Sequence, residues 1–237
     1  MNTTKSKIRK KILSEPNFDR IWSVEDFNNL PRINVLKAFS DLVKEKIIKR
    51  AKRGFYYRTK VTVLGETSFS PVSLALSNVK NKCDFCCISG VAGFNELGFT
   101  TQIPNNIVIA CNCNFRSHDN VRYIYRNKPV SGGAAERIVL DAIIDIKTIP
   151  DTTVENTVNK IKDLIKTKKV NLVSLVKTAF NESPRVKSVI GAIAQEFNFD
   201  KKILERLKNS VNPLTMIYLN TGNSLAYADN WQIRTKR

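Results

Sequence analysis

The sequence predicts an α+β fold with an N-terminal winged helix-turn-helix, a small α/β middle unit and a helical C-terminal region. Three observations support this fold class. Residues 31–58 have helical periodicity followed by a basic hairpin pattern, residues 83–113 hold two short apolar segments typical of buried strands, and apolar side chains recur at helical spacing from residue 151 to about 210. The predicted domains are therefore residues 1–60, 61–150 and 151–237.

The segment that begins at Pro31 is predicted to form an amphipathic helix. At 3.6 residues per turn, one side of this helix carries the apolar residues Leu36, Phe39, Leu42 and Val43. The opposite side carries the polar residues Asn34, Lys37, Asp41 and Lys44. Pro31 suits the first turn because its fixed φ angle is close to the helical value. One face of the helix is thus expected to pack and the other to remain free.

Two shorter helices are predicted before this one, over residues 5–14 and 24–30. Ser23 is expected to be the N-cap of the second, with Asp26 three residues later in an imperfect capping box. After the amphipathic helix, Lys46 occupies the position at which a glycine usually turns the chain.

A basic hairpin is predicted to follow the amphipathic helix. Ile47-Ile48 begins the first strand, Gly54 is in the turn, and residues 55–57 form the second strand. Four cations surround the tip, namely Lys49, Arg50, Lys52 and Arg53.

A helix beside a basic hairpin predicts DNA binding, because a helix fits the major groove while flanking cations neutralise phosphates. We expect Arg32, Asn34 and Lys37 to contact base edges or adjacent phosphates. Lys44 and the four hairpin cations are expected to contact the DNA backbone, and so to contribute affinity rather than sequence preference. The alternative is a solvated amphipathic helix followed by a charged hairpin with no nucleic-acid role.

The charge of the chain is unevenly distributed. The net charge is +18 over 237 residues; Lys and Arg exceed Asp and Glu by 10 in residues 1–60, by 1 in residues 61–150 and by 7 in residues 151–237. Contact with a polyanion is therefore expected at the two ends. Because no apolar run approaches the ~20 residues needed to cross a bilayer, we expect a cytoplasmic protein without membrane contact.

The middle unit is expected to contain a strand over residues 83–89, a helix over residues 90–97 and a strand over residues 107–113. This order favours a parallel α/β unit. A further strand over residues 121–125 and a helix over residues 134–147, capped by Ser131, complete the region. A strand over residues 61–65 is expected to lead into it.

No catalytic, cofactor or metal site is predicted. Five cysteines, at positions 83, 86, 87, 111 and 113, lie near the single histidine, His118, but buried thiols are favoured over a zinc site. The carboxylates of the middle unit are scattered, and Asp141 and Asp145 are expected to be ordinary solvated positions. Gly132-Gly133 before a helix is a weak candidate for an anion site. A DNA-processing enzyme such as a nuclease therefore remains only an alternative.

Three segments carry a resemblance to a known family. They are LVKEKIIKRAKRGFYYR at 42–58, ISGVAGFNELGFTTQIPNNIVI at 88–109 and NPLTMIYL at 212–219. The second is the most specific, through Gly90, Asn95, Leu97-Gly98, Thr101-Gln102 and Pro104. The chain resembles the AbiE-type antitoxins of bacterial type IV toxin-antitoxin systems.

The resemblance implies a non-enzymatic protein whose winged helix binds promoter DNA of its own operon and represses it. It also implies that the chain counteracts a nucleotidyltransferase-like toxin, without requiring a stable complex with that toxin. Asn95, Thr101 and Gln102 are then candidates for an antitoxin motif, although their side chains also suit a purely structural role at helix and loop ends. A stand-alone transcriptional regulator without a toxin is the closest alternative.

Overall fold

The fold is α+β, as the sequence predicts. A computed structural model describes residues 3–59, 61–63, 65–66, 68–117 and 120–234. The chain divides into two compact units, residues 1–84 (unit 1) and 85–237 (unit 2). Within the described ranges, no helix is both long enough and apolar enough to span a membrane.

In the part of unit 1 that the structure describes, there are three α-helices, a short 3-10 helix and five short strands. In chain order they are α1 (Thr4–Ser14), β1 (Ile21–Trp22), the 3-10 helix (Val24–Phe27), α2 (Arg32–Lys44), β2 (Lys49–Lys52), β3 (Phe55–Tyr57), β4 (Val61–Thr62), β5 (Gly65–Glu66) and α3 (Pro71–Lys80). The strand expected over residues 61–65 is instead a pair of two-residue strands, β4 and β5, that pair antiparallel; Leu64 lies outside the described residues.

The β2–β3 hairpin is part of a three-stranded sheet in the order β1-β3-β2. Both pairings are antiparallel, and Tyr57 is the register partner of Ile21 on one side and Lys49 on the other. The register between β2 and β3 shifts between Arg50 and Lys52, which marks a bulge at Ala51. The hairpin is therefore anchored at its base by β1, while its tip extends beyond the sheet.

One hydrophobic core holds unit 1 together. It contains Ile8 and Ile12 of α1, Trp22, Phe27, four residues of α2 and Ile48, all less than a tenth exposed. Aromatic rings form its centre. Phe39 packs edge-on against Phe27 at 5.7 Å between ring centroids and stacks on Tyr56 at 4.6 Å. Phe39 thus joins α2 to the 3-10 helix on one side and to β3 on the other.

The start of the 3-10 helix follows the sequence prediction, but its length does not. The Asp26 carboxylate accepts a hydrogen bond from the Ser23 backbone N–H (2.8 Å), as the expected capping box requires, and a second one from the Ser23 hydroxyl (3.1 Å). The predicted helix over 24–30 is wrong, because the helix ends at Phe27. Pro31 prevents a longer helix from including Leu30, since the residue before a proline avoids the helical conformation.

The link between α2 and the hairpin is a left-handed residue. Lys46 has φ of +59°, so a lysine adopts the conformation that glycine usually supplies after a helix. The backbone N–H of Ile47 donates to Leu42 O (3.0 Å), which closes the helix end. The chain can therefore turn within a few residues and deliver the buried Ile48 to the core.

The described residues of unit 2 form six α-helices, a 3-10 helix and two small sheets. Its elements are β6 (Cys86–Ser89), α4 (Gly90–Glu96), β7 (Ile107–Cys111), β8 (Val121–Tyr125), α5 (Ala134–Ile144), α6 (Val154–Lys166), α7 (Leu172–Ala179), α8 (Pro184–Glu196), α9 (Lys201–Asn209), β9 (Ile217–Tyr218), a second 3-10 helix (Asp229–Trp231) and β10 (Ile233–Arg234). The four helices predicted after residue 151 correspond to α6–α9.

The first sheet of unit 2 has the order β6-β7-β8 and differs from the prediction of a parallel unit. β6 and β7 are antiparallel, and only β7 and β8 are parallel. Helix α4 has only seven residues, and the loop 97–106 after it carries the chain back so that β7 enters the sheet in the opposite direction. The strand–helix–strand order was thus correct, but the inferred strand direction was wrong.

Helix α5 is the centre of unit 2. All of residues 136–143 are buried, and α5 packs against β6, α4, α7 and α8. It starts after Gly133 and ends at Ile144, so the expected cap at Ser131 and the end at residue 147 are both wrong. A helix that is buried all round has no solvated side, which explains why polar residues on it need partners inside the protein.

We expect Phe39→Ala to destabilise unit 1 by about 3–5 kcal/mol, because a buried aromatic ring with two ring partners is lost. Hydrogen–deuterium exchange of peptides within residues 4–57 would report the local free energy of opening. Leu36→Ala is the matched control, since Leu36 lies on the same helix but is 44% exposed. Equal exchange in the two variants would contradict the central role of Phe39.

Candidate nucleic-acid interface

Helix α2 presents a packed face and an exposed face. Val35, Ala38, Phe39 and Leu42 form the buried seam. The prediction that Leu36 belongs to this seam is wrong, because Leu36 points outward and Val35 takes its place. The exposed surface consequently begins at the first turn of the helix and is broader than the sequence pattern suggested.

The α2 residues predicted to contact DNA are all exposed. Arg32, Asn34 and Lys37 lie in the first two turns, and Lys44 is the last residue of the helix. The Arg32 guanidinium lies 3.6 Å from the Glu25 carboxylate, in an ion pair between two well-exposed side chains. Such a pair is weak in water, so it leaves Arg32 available for a phosphate or a base.

The cations of the hairpin are also exposed and lie close together in the chain. Lys49, Arg50 and Lys52 are in β2, and Arg53 is in the turn with Gly54, whose φ is +84°. The turn needs this positive φ, which glycine adopts without strain. The tip therefore carries several positive charges on a short, fixed loop.

Contacts with neighbouring groups change the pKa of two of these cations, Lys49 and Lys52. The Lys49 ammonium pairs with the Glu66 carboxylate, and the hydrogen bond to Glu66 raises the pKa of Lys49. The Lys52 ammonium lies 4.9 Å from the centre of the Phe55 ring. Partial burial, with Lys82 as a second contribution, lowers the pKa of Lys52. Lys49 is thus partly neutralised, while Lys52 remains close to another positive charge.

The base of the hairpin is tied to helix α1 by Arg58. Its guanidinium donates to the carbonyl oxygens of Leu13 (2.8 Å) and Glu15 (2.5 Å), at the end of that helix, and lies 3.9 Å from the centre of the Phe18 ring. These bonds satisfy carbonyl groups that a helix end leaves free. Arg58 is therefore a structural cation, in contrast to the exposed cations at the tip.

In unit 2, the residues of the candidate antitoxin motif lie around one loop. The Asn95 amide donates to Thr100 O and Gln102 O, both at 3.3 Å. Gln102 Nε2 donates to Asp151 Oδ1 at 3.1 Å, and Thr101 Oγ1 to Asp151 Oδ2 at 3.4 Å. Asn95 thus shapes the loop after α4, whereas Thr101 and Gln102 are exposed and share one carboxylate.

Comparison with known proteins gives one family match. A family model described as a family of unknown function (DUF6088) matches residues 7–173, which include α2, the hairpin and the loop after α4. The chain belongs to this family. No curated protein matches it. The crystal structure of the RV2827C protein from Mycobacterium tuberculosis has a TM-score of 0.49 and 12% sequence identity, over 96% of this chain and 89% of that chain.

Four of the five cysteines of this DUF6088 member lie in or just after strands β6 and β7, namely Cys86, Cys87, Cys111 and Cys113. Cys86 and Cys111 are register partners on β6 and β7, and Cys87 and Cys111 are buried. Burial raises the pKa of the Cys87 thiol to about 12, so it is not a thiolate at neutral pH. Among the described residues, no group of three or more His, Cys, Asp and Glu side chains is placed to hold a metal ion. His118 lies outside those residues.

The weak candidate for an anion site at Gly132-Gly133 is occupied by a side chain of the protein itself. Glu136 Oε2 accepts from the Gly133 backbone N–H at 2.7 Å, and Glu136 Oε1 accepts from Asn171 N–H at 2.9 Å. A carboxylate therefore already lies at this helix start, where an external anion would have to bind.

Helix α5 carries a buried ion network that the sequence pattern did not predict. Asp141 was expected to be solvated, but it is 1% exposed and its Oδ1 lies 2.9 Å from Arg126 Nε and 3.0 Å from Arg137 Nη2. Its Oδ2 accepts from the Ser89 hydroxyl at 2.5 Å. Arg137, which is fully buried, also pairs with Glu182 at 2.6 Å. The i, i+4 spacing of Arg137 and Asp141 inside an apolar helix was the available signal.

We expect Asp141→Asn to destabilise unit 2 by about 3–5 kcal/mol, because it removes the buried carboxylate that Arg126 and Arg137 share and leaves these two guanidinium groups with one negative charge fewer beside them. Asp145→Asn is the matched control, one turn further along α5. Desolvation, together with the Asp141 charge, raises the pKa of Asp145. The folded state thus penalises the negative charge of Asp145, so removing this charge should be neutral or stabilising at pH 7. Urea unfolding of both variants is the measurement, and similar losses would contradict the network's role.

Proposed function

We propose that this protein is a DNA-binding antitoxin that represses its own operon and counteracts a nucleotidyltransferase-like toxin. Unit 1 would bind the operator as a winged helix-turn-helix. The protein would act without catalysis and without a cofactor, in the cytoplasm. The proposal rests on one observation: unit 1 has both an exposed face of α2 with polar residues and an exposed, cationic tip of the β2–β3 hairpin.

The order of elements in unit 1 supports the winged-helix proposal. A short helix over residues 24–27, a tight connection and then α2 correspond to a helix-turn-helix, and β2–β3 corresponds to a wing supported by β1. Phe39 and Ile48 bury the inner side of this arrangement. The outer side of α2 remains available for the major groove.

The chemistry of the exposed residues supports a division of roles. Asn34 has the amide that can make two hydrogen bonds to adenine, and Arg32 and Lys37 suit guanine or an adjacent phosphate. Lys44 and the hairpin cations Lys49, Arg50, Lys52 and Arg53 suit phosphates, because a cation gains binding energy by releasing counterions from the duplex. The helix start would thus determine sequence preference, and the hairpin would provide affinity.

The antitoxin part of the proposal rests on the resemblance of residues 88–109 to AbiE-type antitoxins. Thr101 and Gln102 are exposed beside Asp151, where a partner could reach them. Their hydrogen bonds equally suit a structural role. A stable complex with the toxin is not required, since antitoxins of this type are expected to act without one.

Footprinting on the DNA upstream of the protein's own gene tests the DNA-binding proposal. We expect a protected segment with inverted repeats and affinity well above that for unrelated DNA of equal length. Equal affinity for both DNAs would refute the proposed operator function.

We expect Lys52→Ala combined with Arg53→Ala to weaken binding to specific and unrelated DNA about equally, on the order of tenfold at low salt. The dependence of log K on log salt should become shallower by about 2, because two phosphate contacts are lost. Fluorescence anisotropy titrations at several salt concentrations measure both quantities.

The matched control for this prediction is Lys128→Ala combined with Lys147→Ala. These two lysines are exposed and lie within residues 61–150, where no polyanion contact is expected, so the control removes the same charge from a different surface. If both double variants lost the same affinity, net charge and not the hairpin would determine binding.

Asn34→Ala is expected to relax sequence preference while leaving affinity for unrelated DNA unchanged. Loss of one bidentate base contact is worth about 1–3 kcal/mol of discrimination. Competition between operator DNA and single-base variants of it would locate the affected base pair. A variant that discriminates as well as the wild-type protein would exclude Asn34 from base contact.

Co-expression separates the antitoxin from a stand-alone regulator. If an adjacent reading frame encodes a nucleotidyltransferase-like protein that arrests growth, the full chain should restore growth. If the chain did not restore growth at equal expression but still bound the operator, it would be a stand-alone regulator and not an antitoxin.

A further inference from the structure

The outer surface of α2 carries two large apolar side chains among its polar residues. Ile33 is 79% exposed and Leu36, three residues later, is 44% exposed. Both lie in the first two turns of the helix, beside Arg32, Asn34 and Lys37. Neither takes part in the buried seam, so the internal packing of unit 1 does not account for their apolar character.

Single exposed apolar residues are common on protein surfaces and need no explanation by themselves. Here, two of them lie at i, i+3 spacing, so their side chains are neighbours on one helix face. That face is the one whose cations and amide suit DNA. Because Ile33 and Leu36 are neighbours on the helix face that suits DNA, their ligand is expected to have an apolar group at this place.

The apolar group that the major groove offers is the C5-methyl of thymine. Building on the proposed function, we infer that Ile33, flanked by Leu36, packs against thymine methyl groups of the operator and selects thymine at one or two positions. Asn34, next to Ile33 in the chain, would then bind a neighbouring base.

The charges around Ile33 favour DNA over a second copy of the chain as the occupant of this surface. Arg32, Lys37 and Lys44 are exposed on α2. A symmetric contact through α2 would bring these cations of two copies together and leave like charges opposed. DNA offers phosphates to the same cations. The apolar pair and the charged residues beside it can therefore contact one DNA duplex at the same time.

The test uses the full-length protein and the upstream segment protected in footprinting. Each thymine of the segment is replaced in turn by deoxyuridine, which removes only the methyl group. Wild-type protein should bind about fourfold more weakly to the duplexes that lose a contacted methyl. Ile33→Ala should bind these duplexes and the unmodified segment equally, whereas Ile33→Val should keep most of the difference.

Several results would overturn the inference. The inference would be wrong if no deoxyuridine replacement changed the affinity of the wild-type protein. It would also be wrong if the Ile33→Ala variant lost as much affinity on each replacement as the wild type does. Either result would leave the operator function intact, because the segment would still be bound in preference to unrelated DNA. Absence of any preferred segment would instead refute the proposed function, and the inference with it. Circular dichroism of the variants, expected to match the wild type, excludes misfolding as the cause.

Discussion

The packing of Phe39 between Phe27 and Tyr56 is the contact on which the candidate interface depends. Because the three rings belong to the 3-10 helix, α2 and β3, their positions fix the rotation of α2 and the origin of the hairpin together. A rotation of α2 by one residue would bury Leu36 and expose Val35. The polar residues of the first turn would then point elsewhere, so the aromatic core determines which side chains a DNA duplex could meet.

Repulsion between the exposed cations of the hairpin destabilises unit 1, and the packing of this core must offset that loss of stability. Lys49, Arg50, Lys52 and Arg53 lie within five consecutive residues and repel one another. The pairing of Lys49 with Glu66 reduces the repulsion at the base of the hairpin, while the lowered pKa of Lys52 reflects its partial burial and a nearby lysine. A polyanion would remove this repulsion, and the gain in binding would therefore be largest at low salt.

Local signals in the sequence predicted local structure well. Gly54 indicated the hairpin turn, Ser23 and Asp26 indicated the start of a helix, and Pro31 indicated the start of α2. The α2 seam was predicted correctly at Phe39 and Leu42, but Leu36 was included and Val35 was missed, because 35/38/39/42 and 36/39/42/43 satisfy helical spacing almost equally well. The choice depends on where Phe27 and Tyr56 lie, which the α2 sequence does not contain. The strand direction of β6 and β7 likewise depends on the path of a loop.

Asp141 shows a different limit, because its partners come from three separate segments. Its partners are Ser89 on β6, Arg126 after β8 and Arg137 one turn earlier on α5. From the sequence alone, Asp141 and Asp145, two carboxylates one helical turn apart, are typical of a solvated helix face. Burial of α5 on all sides makes the same residue a counter-ion for two arginines, since a charge inside a protein must be paired. The exposed residues of α2 do not need a buried partner for the protein to fold. A ligand can therefore determine which residue types occupy these positions.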